Sequence, residues 1–252
     1  MAQQESIIKL KGKIGDLTFY KTKEGYQARQ ATGVSAARIA TDPKFQRTRE
    51  NNAEFAAGGA AAKSLRDVLR PMILLTYDAR MPSRLFSRIM RVIKADTEHD
   101  RGERRVLPQN LGLLRNFGFN VAAELNNTLF VKPTLAVDRA TGSVQVGVAA
   151  LLPGTAIAAP EGSTHFQLNL GVATVDFAGL ADASLSMASS EEAPLGNVPF
   201  AGAQLQASVP AGTTLPIFVL FGITFYQEVN GKYYPLNNGA FNAISIIEID
   251  VA

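Results

Sequence analysis

The sequence predicts an α+β protein in which an N-terminal β-hairpin and a helical segment precede an antiparallel β-sandwich. Three observations carry this reading. A glycine-punctuated run of β-branched and aromatic residues opens the chain, two stretches with helix signals follow, and from Leu111 onward short β-rich runs recur between turn signals. The expected divisions are a hairpin arm at 1–40, a helical region at 41–107 and a sandwich domain at 108–252.

In the arm, "LTFYKT" and "YQARQA" flank the turn-like "KEG", with Gly12, Gly15 and Gly25 as punctuation, so a hairpin or three short strands is expected. A sheet this small is not stable alone and must lie on another surface. Asp42 and Pro43 signal a helix start, one as the N-cap and the other pre-set at the first helical position. The helix should carry Phe45, Thr48, Asn52, Phe55 and Ala56 on one side and Arg47, Arg49, Glu50 and Glu54 on the other. Beyond it, "AAGGAAAKSL" is too small to bury much area, but Gly58 and Gly59 let another backbone approach closely.

Pro71 breaks or kinks this region. "MPSRLFSRIMRVIKAD" then gives a second helix, with Leu85, Phe86, Ile89, Met90, Val92 and Ile93 on a broad apolar face and Arg84, Arg88 and Arg91 on the other. "DTEHDRGERRVLP" reads as a charged, exposed loop and a domain boundary. In the β-rich remainder the clearest local signal is Asn230-Gly231, which favours a type I′ hairpin turn. Roughly seven strands at this spacing indicate a sandwich or a related barrel.

Composition bounds the function. The chain has 252 residues, 46% of them hydrophobic and 19% charged, as in a globular protein. The absence of cysteine removes disulfides, thiol catalysis and cysteine-ligated metals. The opening "MAQQESIIKLKGK" lacks the apolar core of a secretory signal, and no apolar run reaches the roughly 18 residues of a membrane helix. A product made in the cytoplasm without a membrane span is expected, its final location open, an assembled extracellular particle included. Charge is segregated along the chain: up to Leu107, 21 Lys and Arg stand against 12 Asp and Glu, a net of +9, whereas from Pro108 onward 4 stand against 10, a net of −6. Such halves attract each other between copies, and the basic half alone would also suit a polyanion.

Catalytic signals are sparse. His99 and His165 are the two histidines; "DTEHD" gathers Asp96, Glu98, His99 and Asp100, but consecutive loop residues rarely converge on a metal. No nucleophile elbow or phosphate loop is present, Glu191-Glu192 lies in a loop without an apolar pocket, and no cofactor site is read. An enzyme is not expected. Nucleic-acid binding has the arginines in its favour, yet carboxylates interleave with them and no recognised binding motif appears. A ligand-binding sandwich would lean on exposed aromatic platforms, and the chain has no tryptophan.

The segment "KGKIGDLTFYKTKEGYQARQATGVSAARIATDPKFQRTRENNAEF" resembles the opening of a group of bacterial proteins of the kind found in Bacteroidota, with a glycine-rich hairpin and an "RTRENNAEF"-type helix. The resemblance covers about the first 100 residues, implies a bacterial origin and brings no activity with it. The expectation is therefore a structural protein that self-assembles into a filament, tube or shell. A phage-type virion component contacting nucleic acid, or a monomeric ligand-binding sandwich, are the alternatives. The residues expected at subunit contacts are Phe19, Tyr20, Tyr26, Arg47, Arg49, Gly58, Gly59, Arg84, Arg88, Arg91, Ile244 and Ile246. The last two sit in a tail strand that could add to a neighbour's sheet, although closing its own is the simpler reading.

Overall fold

Two glycines set the geometry of the arm in the computed structural model, which describes residues 2–4, 8–30, 33–179 and 183–252. Strands β1 (Ala2–Gln3), β2 (Gly12–Ile14), β3 (Leu17–Thr22) and β4 (Gly25–Gln30) form an antiparallel sheet in the order β1-β4-β3-β2. Gly15, at φ 56°, turns β2 into β3, and Gly25, at φ 120°, follows the Lys23-Glu24 turn into β4. The expected hairpin is thus part of a four-stranded sheet; Ile7 and Ala31, at its expected margins, lie outside the described residues. Helix α1 (Ala36–Thr41), capped by Ser35, was not foreseen. Asp42 then accepts from the Lys44 amide and caps a 3-10 turn, Pro43–Phe45, that leads into α2 (Gln46–Val68).

The chain divides into two units, 1–51 and 52–252. In the second, α2 continues unbroken through Gly58-Gly59 and is followed by α3 (Arg70–Ile73), with Pro71 in its first turn, and α4 (Met81–Lys94). After a 3-10 segment at Pro108–Leu114 come α5 (Leu125–Thr128), β5 (Thr134–Asp138), β6 (Ser143–Val148), α6 (Pro153–Ala156), β7 (His165–Thr174), β8 (Ser184–Ser189), β9 (Ala193–Pro194), β10 (Ala203–Ser208), β11 (Ile217–Val229), β12 (Lys232–Pro235) and β13 (Ala243–Asp250). The β11–β12 turn has Asn230 at φ 53° and Gly231 at φ 73°, as a type I′ turn requires.

The central sheet runs β12-β11-β7-β8, with β13 also on β11 and β9 also on β7, and all pairs are antiparallel. Both faces of its centre are buried. Alternate residues Ile217, Val219, Phe221, Ile223 and Phe225 meet the small β10-β6-β5 sheet across a core that includes Val144 and Val146. Phe218 and Leu220 face the other way, into a core shared with Leu65, Leu69, Met72, Leu85 and Ile89 of the helices. The molecule therefore has three layers here, helices, central sheet and small sheet, and the residues on either side of Leu107 share one core.

Close approaches fix the helical layer. A Cβ on Gly171 of β7 would stand 2.7 Å from Met72 Cγ, so α3 seats directly on the sheet. On α2 the buried residues are Glu54, Gly58, Ala61, Ala62 and Leu65, not the stripe expected through Phe55 and Ala56. Phe55 is exposed and packs edge-on against Phe86 at 4.6 Å, while Glu54 turns inward and accepts from the Gly102 amide at 3.0 Å. The reason is size: the small residues let α2 lie close to α4, and that face wins over the one holding the single large aromatic. The tail strand closes its own sheet. Leu220 pairs with Ile246 and Val219 with Glu248, and the bulge at Ile247 brings Ile249 onto the helix-facing side with Ile244 and Ile246.

Candidate functional site

The apolar positions of α4 pin it to the core through Leu85, Ile89, Val92 and Ile93, all fully buried. Its opposite side is thereby fixed in direction. Arg84, Arg88 and Arg91 recur at i, i+4 and i+7, which places three guanidinium groups within one narrow angular sector and along roughly 10 Å of helix. All three line one cavity of about 410 Å³, whose far wall comes from residues 116–126 and β13. This lies in the range typical of small-ligand sites.

The three cations are not equivalent. Arg84 is held: its Nε and Nη2 donate to Asp78 Oδ2 at 3.2 and 2.7 Å, its Nη2 also donates to the Gly118 carbonyl at 2.8 Å, and the guanidinium lies 5.1 Å from the Phe117 ring centre. Burial alone would raise the Asp78 carboxyl. The hydrogen bonds from Arg84 and from the Arg80 and Val121 amides outweigh it and hold that carboxyl below its ordinary range. Arg88 is half-buried and Arg91 exposed, and among the described residues neither guanidinium has a carboxylate partner or a hydrogen bond.

Across the cavity, Asn116 adopts a left-handed backbone at φ 59°, its amide tied to the Ile246 carbonyl at 2.8 Å. The side chains of Asn116, Asn126 and Ser245 make no hydrogen bonds among the described residues, whereas Asn120 is fully engaged with Ala240, Asn242 and Ala122. Among the described residues Glu124 is the single carboxylate of the lining. It is exposed and accepts from Asn127 Nδ2 at 3.3 Å. A second depression of about 930 Å³ carries Glu124 and Glu161 as its charged side chains. Among the described residues that second surface has no cation.

The other residues expected at contacts are dispersed. Arg47 is exposed and pairs with Glu50 at 3.3 Å. Arg49 instead spans to the Ile39 and Asp42 carbonyls at 2.8 and 3.0 Å, so it ties the end of α1 to α2 and serves the fold of the arm. Phe19, Tyr20 and Tyr26 are half-buried on the arm sheet, with Arg29 over Tyr20 and Lys21 over Tyr26. Gly58, Ile244 and Ile246 are interior, where packing against their own chain leaves no surface for a second copy. Gly59 meets nothing within 4 Å. Asp96 and His99, expected in an exposed loop, form a knot around the buried Asp96 carboxylate, with His99 half-buried: Asp96 accepts from the Glu98, His99 and Arg105 amides and lies 2.8 Å from His99 Nδ1.

No protein family, curated protein or solved structure matches the chain. No helix among the described residues is long and apolar enough to cross a membrane.

Proposed function

We propose that the chain is a structural protein that assembles with copies of itself into a filament, tube or shell. The supporting observation is that, among the described residues of the 1–51 unit, no side chain is fully buried. A sheet of two-, three- and six-residue strands without a core does not offset the entropy of ordering it. Its apolar residues face outward instead, with Ile8 71%, Ile14 60% and Leu17 44% exposed. A second copy supplies the missing cover.

Charge favours the same pairing. Residues 1–51 carry 10 Lys and Arg against 5 Asp and Glu, while 108–252 is acidic. The test is sedimentation velocity and negative-stain electron microscopy of the full chain in low and moderate salt. Discrete oligomers or regular polymers, weakened by salt and lost in the double variant Ile14→Asp, Leu17→Asp, support the reading. A monomer at every protein concentration, shifting on a DNA gel, would overturn it in favour of nucleic-acid contact.

A further inference from the structure

We propose that the arginine-lined cavity beside α4 binds a small phosphorylated ligand, with Arg88 and Arg91 as its principal charge contacts and Arg84 as a fixed third donor. This does not rest on the assembly reading, because every residue involved lies within 52–252 and the cavity is formed by one chain.

The first argument is electrostatic. Arg88 is taken partly out of water without a compensating carboxylate among the described residues, an arrangement that disfavours the empty site and favours an anion in it. Arg84, by contrast, is neutralised by Asp78 and held by Gly118, so its remaining guanidinium edge is a pre-oriented donor. With Arg84 paired to Asp78, Arg88 and Arg91 stand against Glu124, the one carboxylate of the lining among the described residues, and leave the cavity positive.

The second argument is acceptor count. Two guanidinium forks satisfy a carboxylate and a phosphoryl group alike. Here the facing wall adds the unengaged donors of Asn116, Asn126 and Ser245. A group with two oxygens is used up by the arginines, whereas a phosphoryl group keeps a third terminal oxygen for that wall. At about 410 Å³ the cavity has room for more than a bare ion, and half-buried Ile247 adds apolar surface beside the cations. A cavity of about 410 Å³ accommodates a small phosphate ester and excludes a nucleic-acid duplex.

The experiment is isothermal titration of the full chain with inorganic pyrophosphate, inorganic phosphate and citrate at constant ionic strength. It is repeated on R88M, R91M, the R88M/R91M double variant and, as a control outside the cavity, K63M. The expected result is saturable binding of pyrophosphate, weakened about tenfold in each single variant, lost in the double variant and unchanged in K63M. Circular dichroism melts of R88M/R91M that match the parent show that the loss is local. Pyrophosphate binding retained in the double variant, or no saturable binding in the parent, overturns the proposal. Citrate binding more tightly than pyrophosphate overturns the phosphoryl assignment.

Discussion

Gly58 of α2 lies against Met90 of α4 so closely that a Cβ on it would overlap the methionine Sδ and stand 3.3 Å from Phe86 Cε2. Its neighbour Gly59 meets nothing within 4 Å. Two adjacent glycines in one helix thus have opposite expected responses to substitution. Gly59→Ala should stabilise by about 0.5–1 kcal/mol, because only the helix preference changes. Gly58→Leu should destabilise by about 1–3 kcal/mol, since the larger side chain forces α2 and α4 apart. Urea denaturation of the two variants beside the parent checks both signs. A Gly58→Leu protein as stable as the parent would show that the helices are not held at this spacing.

That contrast marks what the sequence could and could not disclose. The apolar face of α4 was legible because Leu85, Ile89, Val92 and Ile93 repeat at helical spacing. The buried face of α2 was not, since Glu54, Gly58, Ala61 and Ala62 have little hydrophobicity and Phe55 draws attention to the wrong side. The run "IFVLFGITF" is apolar at nearly every position and its strand is buried on both faces, but nothing local says that helices cover one of them. Strand β8, "SLSMAS", has no β-branched residue to signal it and is specified by pairing with β7. The shared direction of Arg84, Arg88 and Arg91 could be read from spacing, whereas the wall opposite comes from residues far along the chain, between Asn116 and Ile247, and had no sequence signal.

Arg139 clamps the end of the C-terminal strand. Its Nε and Nη2 donate to Asp250 Oδ2 at 2.9 and 2.6 Å, its Nη2 also donates to the Asp250 carbonyl at 3.0 Å, and its Nη1 donates to the Thr213 and Leu215 carbonyls at 2.7 and 2.9 Å. One side chain thus joins the β5–β6 loop, the approach to β11 and the last residues of β13. Arg139→Met keeps the stem and removes every donor, and should cost about 2 kcal/mol, because carbonyls once paired with a cation lose their partner. In a protein of this size that lowers Tm by roughly 4–8 °C. An unchanged melt would mean that solvent replaces the clamp without loss.

The coreless arm makes a prediction about salt. If the basic arm and the acidic sandwich half attract between copies, raising ionic strength from about 0.01 to 0.15 M shortens the screening length from about 30 to 8 Å and should shift the sedimentation profile toward smaller species. The apolar contribution of Ile14 and Leu17 is not screened, so assembly should weaken without vanishing. Growth of the assemblies with added salt would contradict a charge-driven contact.

Asp96 sets the last expectation, a dependence of stability on pH. Burial opposes its charged form, yet the Arg105, Glu98 and His99 amides and the His99 side chain together bring the carboxyl down from the ordinary 3.8 to about 2. A carboxyl whose folded value lies below its unfolded one stabilises the fold fully above the unfolded value. That contribution is lost as pH falls through the folded one. The window is therefore about pH 4 down to 2, and the knot should be intact at neutral pH. Asp96→Asn cannot hold the charge at any pH, so the stability gap between parent and variant should narrow as pH falls from 4 towards 2. Asp78 and Asp138, whose carboxyls are also lowered, titrate in both proteins and cancel from the difference. Chemical denaturation of the pair at pH 7, 5, 4, 3 and 2.5 measures it, and a gap that persists undiminished to pH 2.5 would mean that the knot does not depend on the charge of Asp96.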